Sequence, residues 1–220
     1  MSTTSEITET NELITKQLNW RYATKKFDAE KKLSQETIDI LLSHVSLSAS
    51  SYGLQPYRVL VIESPELRAQ LSAPSYGQSQ ITEASHLLVF AAVTNLDDTY
   101  VDNFIKLTTE TRGLPEGALN EYAGAIKGSI QHRDLANRIN WSARQAYIGM
   151  GTLLQSAALL YIDACPMEGF SAEVYDNVLG LKEHNLTALA VVTLGYRAAD
   201  DSYQHYAKVR IPMNELVVKL

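Results

Sequence analysis

Residues 146–162 form a run of 17 residues without a charge, AYIGMGTLLQSAALLYI. As a helix this run reaches about 26 Å, short of the roughly 30 Å of a bilayer's hydrocarbon core, and it carries Gln155. The pattern predicts a buried helix rather than a membrane span. Gly149, Gly151, Ser156, Ala157 and Ala158 would let a second helix approach closely. Gly149-x-Gly151 is no dinucleotide loop, because the third glycine is missing and no strand leads into it.

A core must surround such a helix, and 220 residues with 45% hydrophobic content can supply it. A single domain of this length, 1–220, buries roughly 70–75% of its unfolded surface. Thr10 is expected to cap a first helix bearing Leu13, Ile14 and Leu18, and Ser34 a second bearing Ile38, Leu41, Leu42 and Val45. YRVLVIE (57–63) reads as a strand, followed by a capping Ser64 and Pro65 at a first helical position. HLLVFAAVT (86–94) reads as a strand buried on both faces.

Two amphipathic helical faces follow: Tyr100, Val101, Phe104 and Ile105, then Leu119, Tyr122, Ala123, Ile126 and Ile130. The long helix should run from about Asp134 to Ile162, with a turn at CPMEGF (165–170). Ser171 should cap a helix ended by Gly180, and TALAVVTLGY (187–196) is a third strand. From Arg197 the chain is polar until LVVKL. Few strands among many helices, in no strict alternation, imply an α+β fold with a mixed sheet.

The balance of 19 basic and 25 acidic residues gives −6, which argues against a nucleic-acid partner. One cysteine permits no intrachain disulfide and no thiolate zinc site, in keeping with a reducing, cytoplasmic location. The opening MSTTSEITETNE has neither the basic nor the apolar region of a signal peptide. There is no Gly-x-Ser-x-Gly elbow, no His-Glu-x-x-His and no phosphate loop. Cys165, before Pro166, reads as a small buried hydrophobe, and His86, heading a strand, as a structural histidine; no metal site is expected. Any chemistry here is borrowed from a cofactor.

Arg21 and Lys25 stand in WRYATKKFD, and Lys208 and Arg210 in AKVRIP. Lys-x-Arg on an extended segment points both cations to one side, which suits a phosphate. On these residues alone, a solvated basic patch remains the more ordinary reading.

Six motifs in register extend the picture: Arg-x-x-Thr-Lys-x-Phe-Asp (21–28), Ser-Ser-x-Gly-x-Gln-Pro-Tyr (50–57), Thr-Glu-Ala-Ser-His (82–86), Pro-Met-Glu-Gly-Phe (166–170), Gly-Leu-Lys-Glu (180–183) and Lys-x-Arg-x-Pro (208–212). In this order the chain resembles the FMN-dependent nitroreductases, nearest the bacterial oxygen-insensitive NAD(P)H nitroreductase and dihydropteridine reductase group. The resemblance implies a mainly antiparallel mixed sheet surrounded by helices. It also implies a homodimer with interlocked long helices and an FMN in each interface cleft.

By the same resemblance Arg21, Lys208 and Arg210 hold the FMN phosphate, Tyr22 and Ala23 meet the flavin through their backbone, and Lys25 lies by the ribityl chain and pyrimidine edge. Ser50, Ser51, Tyr52, Gly53 and Gln55 come from the partner chain. Pro166, Met167, Glu168 and Gly169 line a ring face, with a backbone N–H of the Glu-Gly pair near N5. Lys25 and Glu168 then tune the flavin, and no other catalytic residue is required.

The implied reaction is ping-pong hydride transfer from NADH or NADPH to nitroaromatics or quinones. Two departures stand out. Gln80 and Gly77 replace a lysine and an asparagine of the relatives, and Ile126-Lys127 falls where they carry a phenylalanine. Other readings are a deiodinase or flavin-fragmenting enzyme of the same fold, and a non-catalytic flavin-binding protein.

Overall fold

The computed structural model describes residues 4–220; residues 1–3, which open the stretch read above as no signal peptide, lie outside the described residues. The elements run α1 (Thr4–Trp20), α2 (Gln35–Ser46), β1 (Tyr57–Ile62), α3 (Pro65–Ser72), α4 (Gln80–Glu83), β2 (His86–Val93) and α5 (Asp98–Arg112). They continue with α6 (Asn120–Gln131), α7 (Leu135–Leu159), β3 (Asp163–Met167), α8 (Ala172–Val178), β4 (Leu186–Gly195) and α9 (Met213–Leu216).

Helix starts follow the local chemistry expected of their caps. Ser34, Ser64 and Ser171 accept the backbone N–H groups of Thr37, Leu67 and Val174, and Pro65 opens α3. Asp134 accepts the N–H of Asn137 at 2.8 Å and starts the long helix, which ends at Leu159. Gly180, at φ 63°, lies just beyond α8 in the left-handed region expected of a terminator. The first helix departs from expectation. It is already helical at Thr4, so Thr10 lies inside it, and Leu13 and Leu18 are exposed.

The strands are ordered β1-β2-β4-β3, and each neighbouring pair is antiparallel. An isolated parallel bridge, Ala23 to Ala164, makes the arrangement mixed. The expected turn at 165–170 is in part the edge strand β3. Five residues with Pro166 among them show no usable alternation in sequence, and proline, which lacks an N–H, is tolerated at an edge.

β2 is buried along nearly its whole length, and its alternate residues feed two clusters. Leu87, Val89 and Ala91 join Val101 of α5, Ile126 of α6 and Tyr175 of α8 on one face. Leu88 and Phe90 join Ile38 and Leu41 of α2 and Ala146, Met150, Leu153 and Ala157 of α7 on the other. The uncharged run thus buries one face in the core, while Tyr147 and Ile148 on its other face stay exposed. Among the described residues, no helix is long and apolar enough to cross a membrane.

Gly149 brings α7 against the Tyr57 side chain of β1. A Cβ there would lie 2.7 Å from Tyr57 Oη and 3.0 Å from Cζ. Tyr57 is itself buried and cannot swing freely. Gly149→Ala is therefore expected to incur about 1–3 kcal/mol of overpacking against a helix-propensity gain of about 1 kcal/mol. Gly128→Ala in α6, with open space around its Cβ, keeps only the gain. Denaturant midpoints should move down for the first variant and up for the second.

Candidate functional site

Where α1 ends, the chain crosses the edge of the sheet as an extended segment. Thr24 donates its N–H to Ala164 O at 3.4 Å, Asp28 to Tyr196 O at 2.8 Å, and Ala198 returns its own to Lys26 O at 2.9 Å. The first and last parts of the chain are thereby laid side by side. Between them opens a cleft of about 520 Å³ lined by Arg21, Tyr22, Ala23, Lys25, Pro166, Tyr203, Tyr206, Lys208 and Arg210, with Asn19, Trp20, Gln204 and Ala207 at its margins.

The lining carries four cations and no carboxylate, on a chain whose net charge is −6. Burial lowers the Arg21 pKa and the nearby Arg210 lowers it further. Lys208 is pulled down by burial, then by Arg21 and Arg210. Arg210 thus disfavours the charge on Arg21 and on Lys208, and Arg21 that on Lys208. Arg21 Nε is buried without a protein partner. Lys208 Nζ donates to Arg21 O at 2.6 Å and also to Leu18 O, holding the tail against the carbonyl end of α1. Such a cluster fits a multivalent anion with several acceptor oxygens, such as a phosphate ester.

Behind the lining lies a polar network. Asp201, 3% exposed, accepts Tyr22 Oη at 2.7 Å, Lys25 N at 2.9 Å and Lys26 N at 3.1 Å on one oxygen, and Tyr203 N at 3.1 Å on the other. Buried Asp163 accepts Arg197 N and Nε, both at 2.8 Å. The Arg197 guanidinium lies over the rings of Trp20 at 4.3 Å and Tyr22 at 4.6 Å. Lys25 Nζ stands 5.9 Å from the centre of the Tyr203 ring.

Gln80 is buried. Burial pushes the Cys165 thiol up, with Lys25, Gln80 and Arg21 acting in the opposite direction; neither Gln80 nor Cys165 lines the cleft. Met167 turns its side chain into the core. Glu168 accepts Tyr147 Oη at 2.7 Å, and Tyr147 is pushed up to about 12 by burial and then by this carboxylate. Gly169 O accepts Gln78 Nε2 at 2.9 Å. His86 shares a 2.9 Å hydrogen bond with Ser85 and is lowered by burial and then by Arg68.

Ser50, Ser51, Tyr52, Gly53 and Gln55 do not line this cleft. Their loop packs elsewhere on the same chain. Ser51 N donates to Gln145 Oε1 at 2.8 Å, Gln55 N to Ser50 Oγ at 3.0 Å and Tyr122 Oη to Tyr52 O at 3.2 Å. Tyr52, Gly53 and Gln55 all have positive φ, at 59°, 76° and 43°. At Gly53 the positive φ is what favours glycine, since a Cβ there would meet Phe104 only at an ordinary contact distance of 3.4 Å. Ile126 is fully buried and Lys127 pairs with Asp102 at 2.6 Å, so neither faces the cation cleft. Gly77, at φ 66°, has open space around it.

Sequence reasoning missed Tyr203, Tyr206, Asp201 and Arg197. The available signal is the aromatic-polar run SYQHY (202–206), one residue before Lys-x-Arg, within a segment that reads as a polar tail. Among the described residues, no cluster of His, Cys, Asp or Glu could hold a metal ion.

Comparison with known proteins adds the following. The family described as "Nitroreductase family" matches residues 18–196. The oxygen-insensitive NAD(P)H nitroreductase of Enterobacter cloacae is 31% identical over 208 residues, covering 90% of this chain and 95% of that protein. The protein of the same name from Salmonella typhimurium is 31% identical over 208 residues, covering 91% and 96%. A crystal structure from Exiguobacterium sibiricum, assigned as a nitroreductase in complex with FMN, superposes with a TM-score of 0.79 at 21% identity, covering 94% of this chain and 97% of that one.

Proposed function

We propose that this chain, which belongs to the nitroreductase family, is an FMN-dependent enzyme that oxidises NADH or NADPH and reduces nitroaromatic or quinone acceptors. The observation that carries this reading is the cleft with four cations and no carboxylate, on an acidic protein. Relatives at 31% identity are named for NAD(P)H nitroreductase activity, and a fold neighbour was solved with FMN. We take residues 1–220 to be one FMN-binding domain.

Bound FMN supplies the two-electron chemistry, accepting hydride and passing it on. The chain's own residues bind and orient. Arg21, Lys208 and Arg210 bind the phosphate, each charge-assisted hydrogen bond contributing about 1.5–3 kcal/mol. Lys25, which lines the cleft, would supply a fixed positive charge that favours the reduced, anionic form of a bound flavin. Tyr22 and Ala23 offer backbone groups to the flavin. Pro166, which lines the cleft, and the backbone of Met167, Glu168 and Gly169 would support the ring, with Glu168 held by Tyr147. Gln80, buried beside Cys165, offers a neutral hydrogen bond where a lysine would add charge.

The working unit in this reading is a homodimer. α1 buries only Gln17, and Ile7, Leu13 and Leu18 are exposed. Tyr147 and Ile148 on α7 and Val209, Ile211 and Met213 on the tail are exposed too. So much apolar surface calls for a partner. The loop 50–55, which lies off the cation cleft of its own chain, then serves the cofactor of the other.

Purified protein is expected to be yellow, to release FMN on heating, and to oxidise NADH or NADPH faster than free FMN does when a nitroaromatic or quinone is present. Colourless protein that takes up no FMN would refute the reading. Bound FMN without turnover would favour a flavin-binding protein instead.

A further inference from the structure

We propose that Asp201 is the positioning residue of the anion cleft, the group that fixes its two cation-bearing segments in register. The proposal rests on the FMN reading for the identity of the ligand. Arg21 and Lys25 lie on one segment, Lys208 and Arg210 on another, and Asp201 is separated by 176 positions from Lys25. Something must join them.

A carboxylate behind a phosphate site repels the ligand, so its presence there needs another reason. The four donors provide it. Tyr22 Oη, Lys25 N and Lys26 N converge on one oxygen, so the backbone on either side of the Lys25 side chain cannot turn without breaking a bond to a buried charge. Tyr203 N binds the other oxygen and starts the short 3-10 turn Ser202–His205, which directs the chain toward Lys208. Asp201 itself does not line the cleft. With every donor inside the protein, its charge is spent on the scaffold.

Its neighbour Asp200 is the contrast. That side chain also pairs with Lys26 on the first segment, but both groups are largely exposed, and an ion pair held in solvent contributes little to fixing the two segments.

The test titrates FMN and riboflavin into the cofactor-free protein, followed by flavin fluorescence. The two ligands differ by the phosphate, so the ratio of their affinities reads the cation cradle and not general stability. Asp201→Asn is expected to lose FMN affinity at least tenfold, with the preference for FMN over riboflavin falling in step. Asp201→Glu keeps the charge but misplaces it, and should fall in the same direction. Tyr22→Phe, which removes one of the four bonds, should lose about threefold of the preference. Asp200→Asn should stay within twofold of wild type.

A charge-only role predicts the opposite sign, since removing an anion near a phosphate tightens binding. Tighter FMN binding by Asp201→Asn, or a preference unchanged within threefold, would overturn the proposal. If Asp201→Asn does not fold, an unchanged preference in Tyr22→Phe overturns it equally. Wild-type protein that binds no FMN overturns the functional reading as well, which separates the two failures.

Discussion

FMN affinity is expected to fall about 10- to 100-fold in Arg21→Ala, while the cofactor-free protein melts at nearly the temperature of the wild type. The two halves of this result have one cause. With phosphate bound, the guanidinium supplies charge-assisted hydrogen bonds of about 1.5–3 kcal/mol each, and about 1.4 kcal/mol corresponds to a factor of ten. Without phosphate, Arg21 is a partly buried cation beside Arg210 and Lys208, and its Nε has no protein partner. Removing it relieves repulsion that offsets the lost packing of its stem. Isothermal titration with FMN and a melting curve of the cofactor-free protein measure the two sides separately. Arg210→Ala should weaken FMN binding in the same direction. A large drop in melting temperature, with FMN affinity unchanged, would mean that Arg21 serves the fold and not a ligand.

Arg197→Ala is expected to bring the largest loss of stability, about 3–5 kcal/mol, the range for breaking a buried ion pair from one side. The Asp163 side chain is 5% exposed and that of Arg197 18%. Nε donates to Oδ1 at 2.8 Å, and Nη2 approaches the same oxygen at 2.6 Å as a charge contact without hydrogen-bond alignment. The variant retains the backbone N–H of residue 197 and the 3.4 Å bond from Thr24 Oγ1, but the carboxylate loses its counter-charge. Trp20 and Tyr22 lose the cation between their rings. For a chain of this length the melting temperature should fall by roughly 6–15 °C. The double variant Asp163→Asn/Arg197→Ala should recover part of the loss, because no uncompensated buried charge remains. Failure of the double variant to recover anything would indicate that packing against Trp20 and Tyr22 dominates.

Both predictions concern residues whose partners are distant in sequence, and that separates what could be read early from what could not. Helix caps were legible because their chemistry is local: Ser34, Ser64 and Ser171 bond groups three residues away. β2 was legible because a strand buried on both faces needs an uninterrupted apolar run. β3 was not, since five residues containing a proline carry no periodic signal, and its place at the edge depends on pairing with β4, residues 186–195. The early start of α1 was missed for a related reason. Its sequence is polar and its Leu13 and Leu18 face outward, so no core-facing stripe marks where it begins.

The cation cleft divides in the same way. Arg21, Lys25, Lys208 and Arg210 could be named from sequence, yet alone they fitted a solvated patch as well as a binding site. Their convergence on one cleft without a carboxylate is a fact of tertiary structure. The loop 50–55 carries no such signal in its composition: only the family resemblance gave it a cofactor role, toward the partner chain's flavin, and within its own chain it is held against α6 and α7.

By itself the sequence determined the buried long helix, the capped helices, the two-faced apolar strand and the basic residues, because hydrophobic periodicity and cap chemistry act within a few residues. Only the tertiary structure decided that the beginning and end of the chain lie side by side, with Asp201 and Asp163 stitching them and the cations turned into one cleft. Electrostatic cooperation of that kind depends on distance through space, which falls to a few ångströms between residues about 180 positions apart.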